Sequence, residues 1–258
     1  MKKTQIYYNK KAKLNNPVLV VGLPGIGNVG ALVGEHLKRE LKAKRLATLY
    51  SPHFLHQVVM LSSGGVRLVS NRFYYAKADA KGGSDIVILL GDMQAGTPEG
   101  QYEVNDEIVR FFKHIGGKGI YTIGGYSVGN QYIRQPRVFG VATDKDLRDS
   151  MAKQGVLFGK TTGMIWGSAG LIIAFSKRHR IPAACIMGET GLLDIDANSA
   201  KAVLDVLSKI LGVNLNLQNM EKIKNETEKM LKDLEEASKS IAGGEGKPPS
   251  RDNLSYIR

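Results

Sequence analysis

The chain has 258 residues, of which 43% are hydrophobic and 23% charged, as is typical of a globular domain that buries its own core. Its net charge is +12, but the cations are spread out and accompany no nucleic-acid-binding motif, so a basic surface for an acidic protein partner is an equally good interpretation. No apolar run reaches the roughly 18 residues that span a bilayer, and the basic N-terminal segment lacks the apolar core of a signal peptide. We therefore expect a cytoplasmic protein that binds neither nucleic acid nor membrane.

The first strong element is a β-branched apolar run, Val18 to Val21, which predicts a strand buried on both faces. Glycines follow it from Gly22 to Gly30, and a helical pattern comes next. The apolar positions of that helix recur at helical spacing and form one face: Val29, Leu32, Val33, Leu37 and Leu41. The segment reads as the first βα unit of an α/β sheet.

The turn of this unit, Gly25 to Gly30, matches the dinucleotide fingerprint G-x-G-x-x-G, in which the backbone approaches a pyrophosphate. The fingerprint also expects an acidic residue after the second strand, but that strand, Arg45 to Ser51, ends without one. We favour the alternative that the glycines permit a tight turn and close packing of the helix on the sheet. A nucleotide- or nucleoside-binding enzyme that uses this turn remains an alternative.

Two strand-like runs, Gln57 to Ser62 and Val66 to Tyr75, flank a Gly-Gly loop and predict a β-hairpin that makes the sheet mixed. The next buried strand, Asp85 to Leu90, leads into a loop with Asp92 and Glu99, which are candidates for a general acid and base. The favoured alternative is that Glu99 stabilises the N-terminus of the following helix.

The second half of the chain repeats the alternation of strands and helices. Its predicted elements are a strand with a glycine-rich turn over Gly119 to Gly125, a helix from Thr143 through Lys153, a deeply buried helix over Leu171 to His179, a strand over Ile181 to Met187, and a helix capped by Asp196 and stopped by Gly212. The helices alternate with strands, as they do in an α/β fold.

No complete catalytic or metal-binding set is present in the sequence. The single cysteine, Cys185, lies in an apolar strand and behaves as a small hydrophobic residue. His53 and His56 are three residues apart but have no third ligand in view. We therefore expect no catalytic residues, no metal and no cofactor.

The C-terminal part divides into a helix and a tail. We expect a core domain over residues 1–217, a charged helix over 218–241 and a flexible tail over 242–258, whose Gly-Pro-Ser composition is typical of a linker. One face of the helix carries an apolar stripe that packs on the domain or on another subunit, the oligomer face: Met220, Ile223, Met230, Leu231 and Leu234.

Four motifs, in order along residues 15 to 238, resemble the proteasome assembly chaperone 2 family in its archaeal form. They are Val20 to Gly30, Gly91-Asp-Met-Gln, Glu99-Gly-Gln-Tyr-Glu103 and Gly188-Glu-Thr-Gly191. The resemblance implies an α/β three-layer sandwich with a mixed, mostly parallel sheet, similar to nucleoside phosphorylases. It also implies a homo-oligomer without established enzymatic activity.

The resemblance further implies that the tail binds a partner, because better-understood members bind the α-ring of the 20S proteasome through a tail ending hydrophobic-Tyr-X. Here the tyrosine is third from the end rather than second. The expected partner-binding residues are Leu254, Tyr256, Ile257 and Arg258 with its carboxylate. We expect a chaperone or adaptor that docks this tail on the α-ring, or a relative that uses it on another multimeric protein.

Overall fold

The computed structural model describes residues 1–9, 12–78, 83–129, 133–159, 163–191 and 195–218. The strands within them are β1 (Gln5–Tyr8), β2 (Val18–Gly22), β3 (Lys44–Tyr50), β4 (Val58–Met60), β5 (Val66–Leu68), β6 (Asn71–Ala76), β7 (Ile86–Gly91), β8 (Gly119–Ser127), β9 (Val138–Ala142) and β10 (Ala183–Thr190). The helices are α1 (Val29–Glu40), α2 (Pro98–His114), α3 (Lys145–Ala152), α4 (Ser168–Arg178) and α5 (Ala197–Leu211). None of these helices is long and apolar enough to cross a membrane.

Eight strands form one mixed sheet in the order β1-β3-β6-β7-β2-β8-β10-β9. The four strands β7, β2, β8 and β10 are parallel neighbours, whereas β1, β3, β6 and β9 flank them in antiparallel ladders. Because β7, β2, β8 and β10 point the same way, the loops that follow them meet at one edge of the sheet, called here the carboxyl edge.

Two apolar cores lie on the two faces of the sheet and make the three-layer α/β fold that the sequence predicts. Helices α2 and α4 cover one face, where Phe73 and Phe112 are fully buried. Helices α1, α3 and α5 cover the other, where Leu37 and Leu207 are fully buried. The strands between them are apolar on both sides, as expected for parallel strands covered by helices on both faces.

The first βα unit and α5 follow their predicted boundaries. β2 leads through a 3₁₀ turn at Ile26–Asn28 into α1. At the start of α5 the Asp196 side chain accepts a hydrogen bond from the Ser199 amide, and Gly212 ends the helix with a φ of 65°. A side-chain cap and a left-handed glycine are the signals from which both ends were predicted.

The predicted hairpin forms, but the expectation that it makes the main sheet mixed is wrong. β4 and β5 pair only with each other, as a separate two-stranded sheet. The second predicted run also divides: Val66–Leu68 is β5, whereas Asn71–Ala76 is β6 of the main sheet. The main sheet is mixed because of β6 and the other flanking strands.

The burial expected of the apolar helix is also wrong. α4 buries only Ser168, Ile172 and Ser176, while Ala174 is exposed. This helix lies on the outside of a three-layer fold, so one of its faces meets water whatever its composition. α3 begins at Lys145, with Asp144 as its cap, two residues after the predicted start at Thr143. β9 was not predicted as a strand.

Candidate functional site

The glycine-rich turn after β2 is packed against the end of β10 and the start of α5. Gly27 has a φ of 61°, and a Cβ atom there would lie 2.8 Å from Thr190 Oγ1. The Asp196 amide donates a 2.8 Å hydrogen bond to the Gly27 carbonyl. A Cβ atom at Gly30 would lie 2.7 Å from the Leu23 carbonyl oxygen. Close packing by the protein itself accounts for these glycines without a nucleotide.

Asp92 follows β7 and is bound by two arginines. Arg67 donates to both of its carboxylate oxygens at 2.5 and 2.8 Å, Arg72 donates at 2.8 Å, and the Ser70 amide donates at 3.0 Å. Burial alone raises the pKa of Asp92, but these bonds outweigh it and hold the pKa below its ordinary value. A carboxyl group in this setting stays ionised, which does not suit a general acid.

Glu99, the other candidate for acid-base chemistry, lies exposed in the first turn of α2. Thr97 caps the same helix by accepting a hydrogen bond from the Gly100 amide. A carboxylate in the first turn stabilises the helix dipole. The position of Glu99 therefore fits the helix-terminus interpretation.

Gln94 and Gln101 join three segments at the carboxyl edge. The Gln94 amide group donates to the Pro24 carbonyl at 2.8 Å, and its oxygen accepts from the Ser168 amide at 2.9 Å. Gln101 donates to the Ala95 carbonyl at 2.7 Å. The loop after β2, the loop after β7 and the start of α4 are thereby held together. The sequence contained these residues only as parts of motifs, and nothing in their spacing revealed the network.

Glu103 and His53 bind each other at the end of β3. Glu103 accepts from the Thr4 amide at 2.8 Å and lies 3.1 Å from His53 Nε2. Hydrogen bonds from Thr4 and then from His53 lower the pKa of Glu103. His56 is exposed. Within the described parts of the chain, no cluster of three His, Cys, Asp or Glu side chains is arranged to hold a metal ion.

The fourth motif, at the end of β10, is likewise occupied by internal contacts. Arg137 donates to both Glu189 carboxylate oxygens, at 2.6 and 3.1 Å, and lowers the pKa of Glu189. Thr190 Oγ1 donates to Asp196 at 2.6 Å. A Cβ atom at Gly188 would meet Ser199 Oγ at 2.2 Å. The four motifs therefore build one fixed edge of the domain.

One surface feature was missed in the sequence. The β4–β5 hairpin turns one face outward, the outer hairpin face, and its four side chains are apolar and exposed: Val58, Met60, Val66 and Leu68. The alternation of these residues with Val59 and Arg67 is the signal that could have revealed it.

The residues predicted to bind partners lie outside the described part of the chain. They are the oligomer face, Met220, Ile223, Met230, Leu231 and Leu234, and the tail end, Leu254, Tyr256, Ile257 and Arg258. The structure therefore leaves these assignments as predictions.

The described residues define an α/β scaffold with an internally bonded carboxyl edge and an apolar hairpin on its surface, an arrangement suited to binding other proteins. Residues 19–237 match the model of the PAC2 family, and the chain belongs to that family.

The chain is similar to several proteins of known sequence or structure. An uncharacterized protein of Methanocaldococcus jannaschii is 34% identical over 245 residues, which cover 95% of this chain and 93% of that one. The crystal structure of Pyrococcus furiosus PbaB, an archaeal proteasome activator, superposes with a TM-score of 0.86 and 36% identity over 91% of this chain and 100% of that one. P. furiosus PbaA, an archaeal homolog of proteasome-assembly chaperone, shares the fold with a TM-score of 0.73 and 22% identity over 94% of this chain and 98% of that one.

Proposed function

We propose that this protein is a non-enzymatic, homo-oligomeric chaperone or adaptor that docks its C-terminal tail on the α-ring of the 20S proteasome. The observation that carries the proposal is the similarity to PbaB, a proteasome activator, at 36% identity over the whole of that chain. Above 30% identity with full coverage, two chains share more than a fold, so a related partner is the simplest expectation.

The internal bonding of the carboxyl edge supports a role in binding. Asp92, Gln94, Glu103 and Glu189 are each bonded to groups of the same chain. Polar groups that are satisfied internally hold loops in place. The core domain would then serve as a rigid carrier for a binding segment outside it.

The tail sequence has the chemistry of a docking segment. Leu254, Tyr256 and Ile257 provide apolar groups beside a free carboxylate, which together suit an apolar pocket that contains a lysine. Seventeen residues of linker composition reach about 20–25 Å as a coil. Burial of the tyrosine and isoleucine side chains would contribute about 2–3 kcal/mol each.

Ordering such a tail costs entropy, so one tail would bind with affinity in the micromolar range. Several tails on one oligomer can engage several pockets on a ring, and avidity then increases the affinity by about 10²–10⁴. In this proposal the oligomer face, from Met220 to Leu234, brings the copies together. Tight binding in this proposal therefore requires both an oligomer that carries several tails and a partner that presents several pockets.

The displaced tyrosine gives a second candidate partner. Tyr256 is third from the end, whereas the hydrophobic-Tyr-X ending places it second. A pocket other than that of the proteasome α-ring would suit this spacing, so the alternative is a different multimeric protein bound by the same tail.

The test is the binding of the full-length protein to purified 20S proteasome, measured by surface plasmon resonance. We expect Tyr256→Ala, or truncation after Ser250, to reduce the affinity at least a hundredfold because the apolar anchor is lost. Ser255→Ala is the matched control, since it changes the same segment without removing an apolar group. Wild-type protein that does not bind the α-ring would contradict the proteasomal assignment, and unchanged binding by Tyr256→Ala would contradict the role of the tail.

A further inference from the structure

Cations that are scattered along the sequence lie together at one end of the fold. This end, called here the amino edge, is where the parallel strands β2, β7, β8 and β10 begin. It consists of the described segments 12–17, 38–44, 77–78, 83–85, 113–118, 142–146, 177–182 and 209–218. These segments contain thirteen Lys or Arg residues but only four Asp or Glu residues. We propose that the amino edge is a binding surface for an acidic face of a protein partner, and that this partner is the one the tail captures.

Hydrogen bonds join these segments into one continuous surface. They connect Lys118 with Pro17, Asp85 with Asn15, Lys77 with Lys13, Lys113 with His179, Thr143 with Ala183, and Asn216 with Glu40. Residues that are up to 176 positions apart in the sequence are thereby placed at the same end of the domain. The distribution of charge along the chain therefore conceals its concentration in the fold.

The opposite end of the domain has no such excess of cations. At the carboxyl edge, the described segments 1–4, 22–28, 51–57, 91–103, 133–137, 188–191 and 195–196 contain four Lys or Arg residues and five Asp or Glu residues. Most of the net charge of +12 therefore lies at the amino edge. A charge that is concentrated at one end orients the molecule toward an acidic partner.

Neither internal pairing nor helix dipoles account for the cations outside the helices. Within the described parts of the chain, no carboxylate pairs with Lys13, Lys42, Lys44, Lys118 or Arg180, and all five are exposed. A cation in the last turn of a helix stabilises the helix dipole, but these five lie in connecting segments or at the start of a strand. Like charges held together repel each other, and an acidic partner would relieve that repulsion.

An apolar groove lies within this basic surface. Its volume is about 600 Å³, and its lining includes Tyr8, Leu14, Leu46 and Ile115 together with Lys13 and His114. The groove suits an apolar side chain that is flanked by carboxylates, because the side chain can enter it while the carboxylates meet the cations. The expected partner surface is thus acidic with an apolar residue at its centre.

The groups at this edge favour a polypeptide over a nucleic acid. Helices α1, α2, α4 and α5 all end here, so their last carbonyl groups are acceptors without intrahelical partners. A polypeptide brings backbone N–H donors as well as carboxylates, whereas the DNA backbone brings only acceptors. The N-termini of these four helices, which are the ends that bind phosphates, lie at the opposite edge. Ten of the thirteen cations are lysine, whereas arginine is the preferred residue in nucleic-acid recognition.

The C-terminal segment leaves the domain at the same edge. The Asn216 amide donates a 3.3 Å hydrogen bond to Glu40, the last residue of α1. Residues 219–258 contain eight Lys or Arg and eight Asp or Glu, so this segment brings no net negative charge to cover the amino edge. A protein held by the tail is presented first with the basic end of the domain. The identity of the acidic partner rests on the proposed function, whereas the basic surface does not.

The first test is the binding of a labelled twelve-residue peptide, glutamates around one central phenylalanine, to the full-length protein, measured by fluorescence anisotropy at low salt. Lys13→Glu/Lys44→Glu/Lys118→Glu should raise the Kd about tenfold or more, because three free cations become anions. The control, Lys2→Glu/Lys3→Glu/Arg134→Glu, makes the same change of charge at exposed positions of the carboxyl edge. It should raise the Kd by about twofold at most.

Two further measurements do not depend on how the charge-reversal variant folds. Lys13→Gln/Lys44→Gln/Lys118→Gln adds no carboxylate and should raise the Kd by about threefold. A peptide with serine in place of the phenylalanine should bind the wild type more weakly, because nothing then fills the groove. Equal losses in the two charge-reversal variants, equal binding of the two peptides, or tighter binding of an oligo-dT of the same charge at the same residues would overturn the proposal.

The second test uses purified 20S proteasome and separates this inference from the proposed function. Lys13→Glu/Lys44→Glu/Lys118→Glu should lower the association rate constant about tenfold at low salt and much less at high salt, because electrostatic steering is screened. Tyr256→Ala should instead raise the dissociation rate constant. If the peptide results hold but the wild type does not bind the proteasome, the proposed function is wrong and the acidic surface belongs to another protein. If Tyr256→Ala loses the proteasome while both charge-reversal variants associate equally fast, only the inference about the amino edge is wrong.

Discussion

The polar residues of the family motifs form hydrogen bonds and ion pairs that hold separate segments of the chain together. Asp92 shows the pattern most fully: three groups of the same chain donate to its carboxylate and attach the β4–β5 hairpin to the end of β7. Its sequence context, a carboxylate in a loop after a buried strand, fits a catalytic site equally well. Only the positions of Arg67 and Arg72, which come from other strands, distinguish the two roles.

Replacing Asp92 with asparagine should lower the free energy of unfolding by about 2–3 kcal/mol at neutral pH, because two arginines lose their partner. The pKa of Asp92 is lower in the folded state than the roughly 3.9 of an unfolded aspartate. The stabilisation is therefore fully present above about pH 4 and is lost as the pH falls through the folded pKa. Urea unfolding followed by circular dichroism at pH 7 and pH 3 measures the difference, which should be smaller at pH 3.

The matched control is Glu99→Gln, which removes an exposed carboxylate from the first turn of α2 and should change the free energy of unfolding by only about 0.5 kcal/mol, the size of a helix-dipole contribution. Trypsin gives an independent readout, since cleavage after Arg67 should become faster in Asp92→Asn. Equal stability of Asp92→Asn and the wild type at pH 7 would show that the hairpin is held by other contacts.

At the scale of elements, the predictions were correct where a local signal determines the structure. β2 and α1 follow from a β-branched run and a helical apolar period, and α5 follows from its cap and its terminal glycine. Burial depends on tertiary position, so the exposed side of α4 could not be inferred from its composition. The hairpin is separate from the main sheet because β6 pairs with β3 and β7 instead. These pairings join residues that are distant in the sequence, so no local pattern reveals them.

Gln94 connects these elements, and its two hydrogen bonds can be separated by mutation. Gln94→Glu keeps an oxygen that can accept from the Ser168 amide but replaces the donor to the Pro24 carbonyl with a second negatively charged oxygen. We expect a loss of about 2 kcal/mol in the free energy of unfolding, because a carboxylate then faces a carbonyl. Hydrogen exchange should become faster at the loop before α1.

Gln57→Glu makes the same chemical change at an exposed position and serves as the control. Its exchange rates and stability should match those of the wild type. If Gln94→Glu also matches the wild type, the loop after β2 is held by the packing of Gly27 and Gly30 alone.

At the scale of the whole molecule, the sheet and its two cores enclose a single thiol. Cys185 lies in β10 between Thr122 of β8 and Val141 of β9 and is fully buried. Burial raises the pKa of its thiol to about 11, with Thr122 acting in the opposite direction. The thiol should be unreactive in the folded protein for two reasons: burial keeps reagents away from it, and the raised pKa leaves very little of the reactive thiolate.

Cys185 should therefore report global unfolding. At pH 8 we expect a disulfide reagent to label it only in denaturant, with a midpoint that coincides with the loss of circular dichroism. The single tryptophan, Trp166, is 82% exposed and provides a local contrast because its fluorescence reports the surface rather than the core. Rapid labelling under native conditions would show that β9 opens separately from the rest of the sheet.

The β4–β5 hairpin and the end of α1 lie at opposite ends of the parallel strands, because the hairpin is attached through Asp92 after β7 whereas α1 runs back from the carboxyl edge for about 18 Å. Asn216 bonds to Glu40 at that far end. A protein that covered the hairpin would therefore leave the surface around Glu40 and Asn216 accessible, and one domain could be contacted at both ends at the same time.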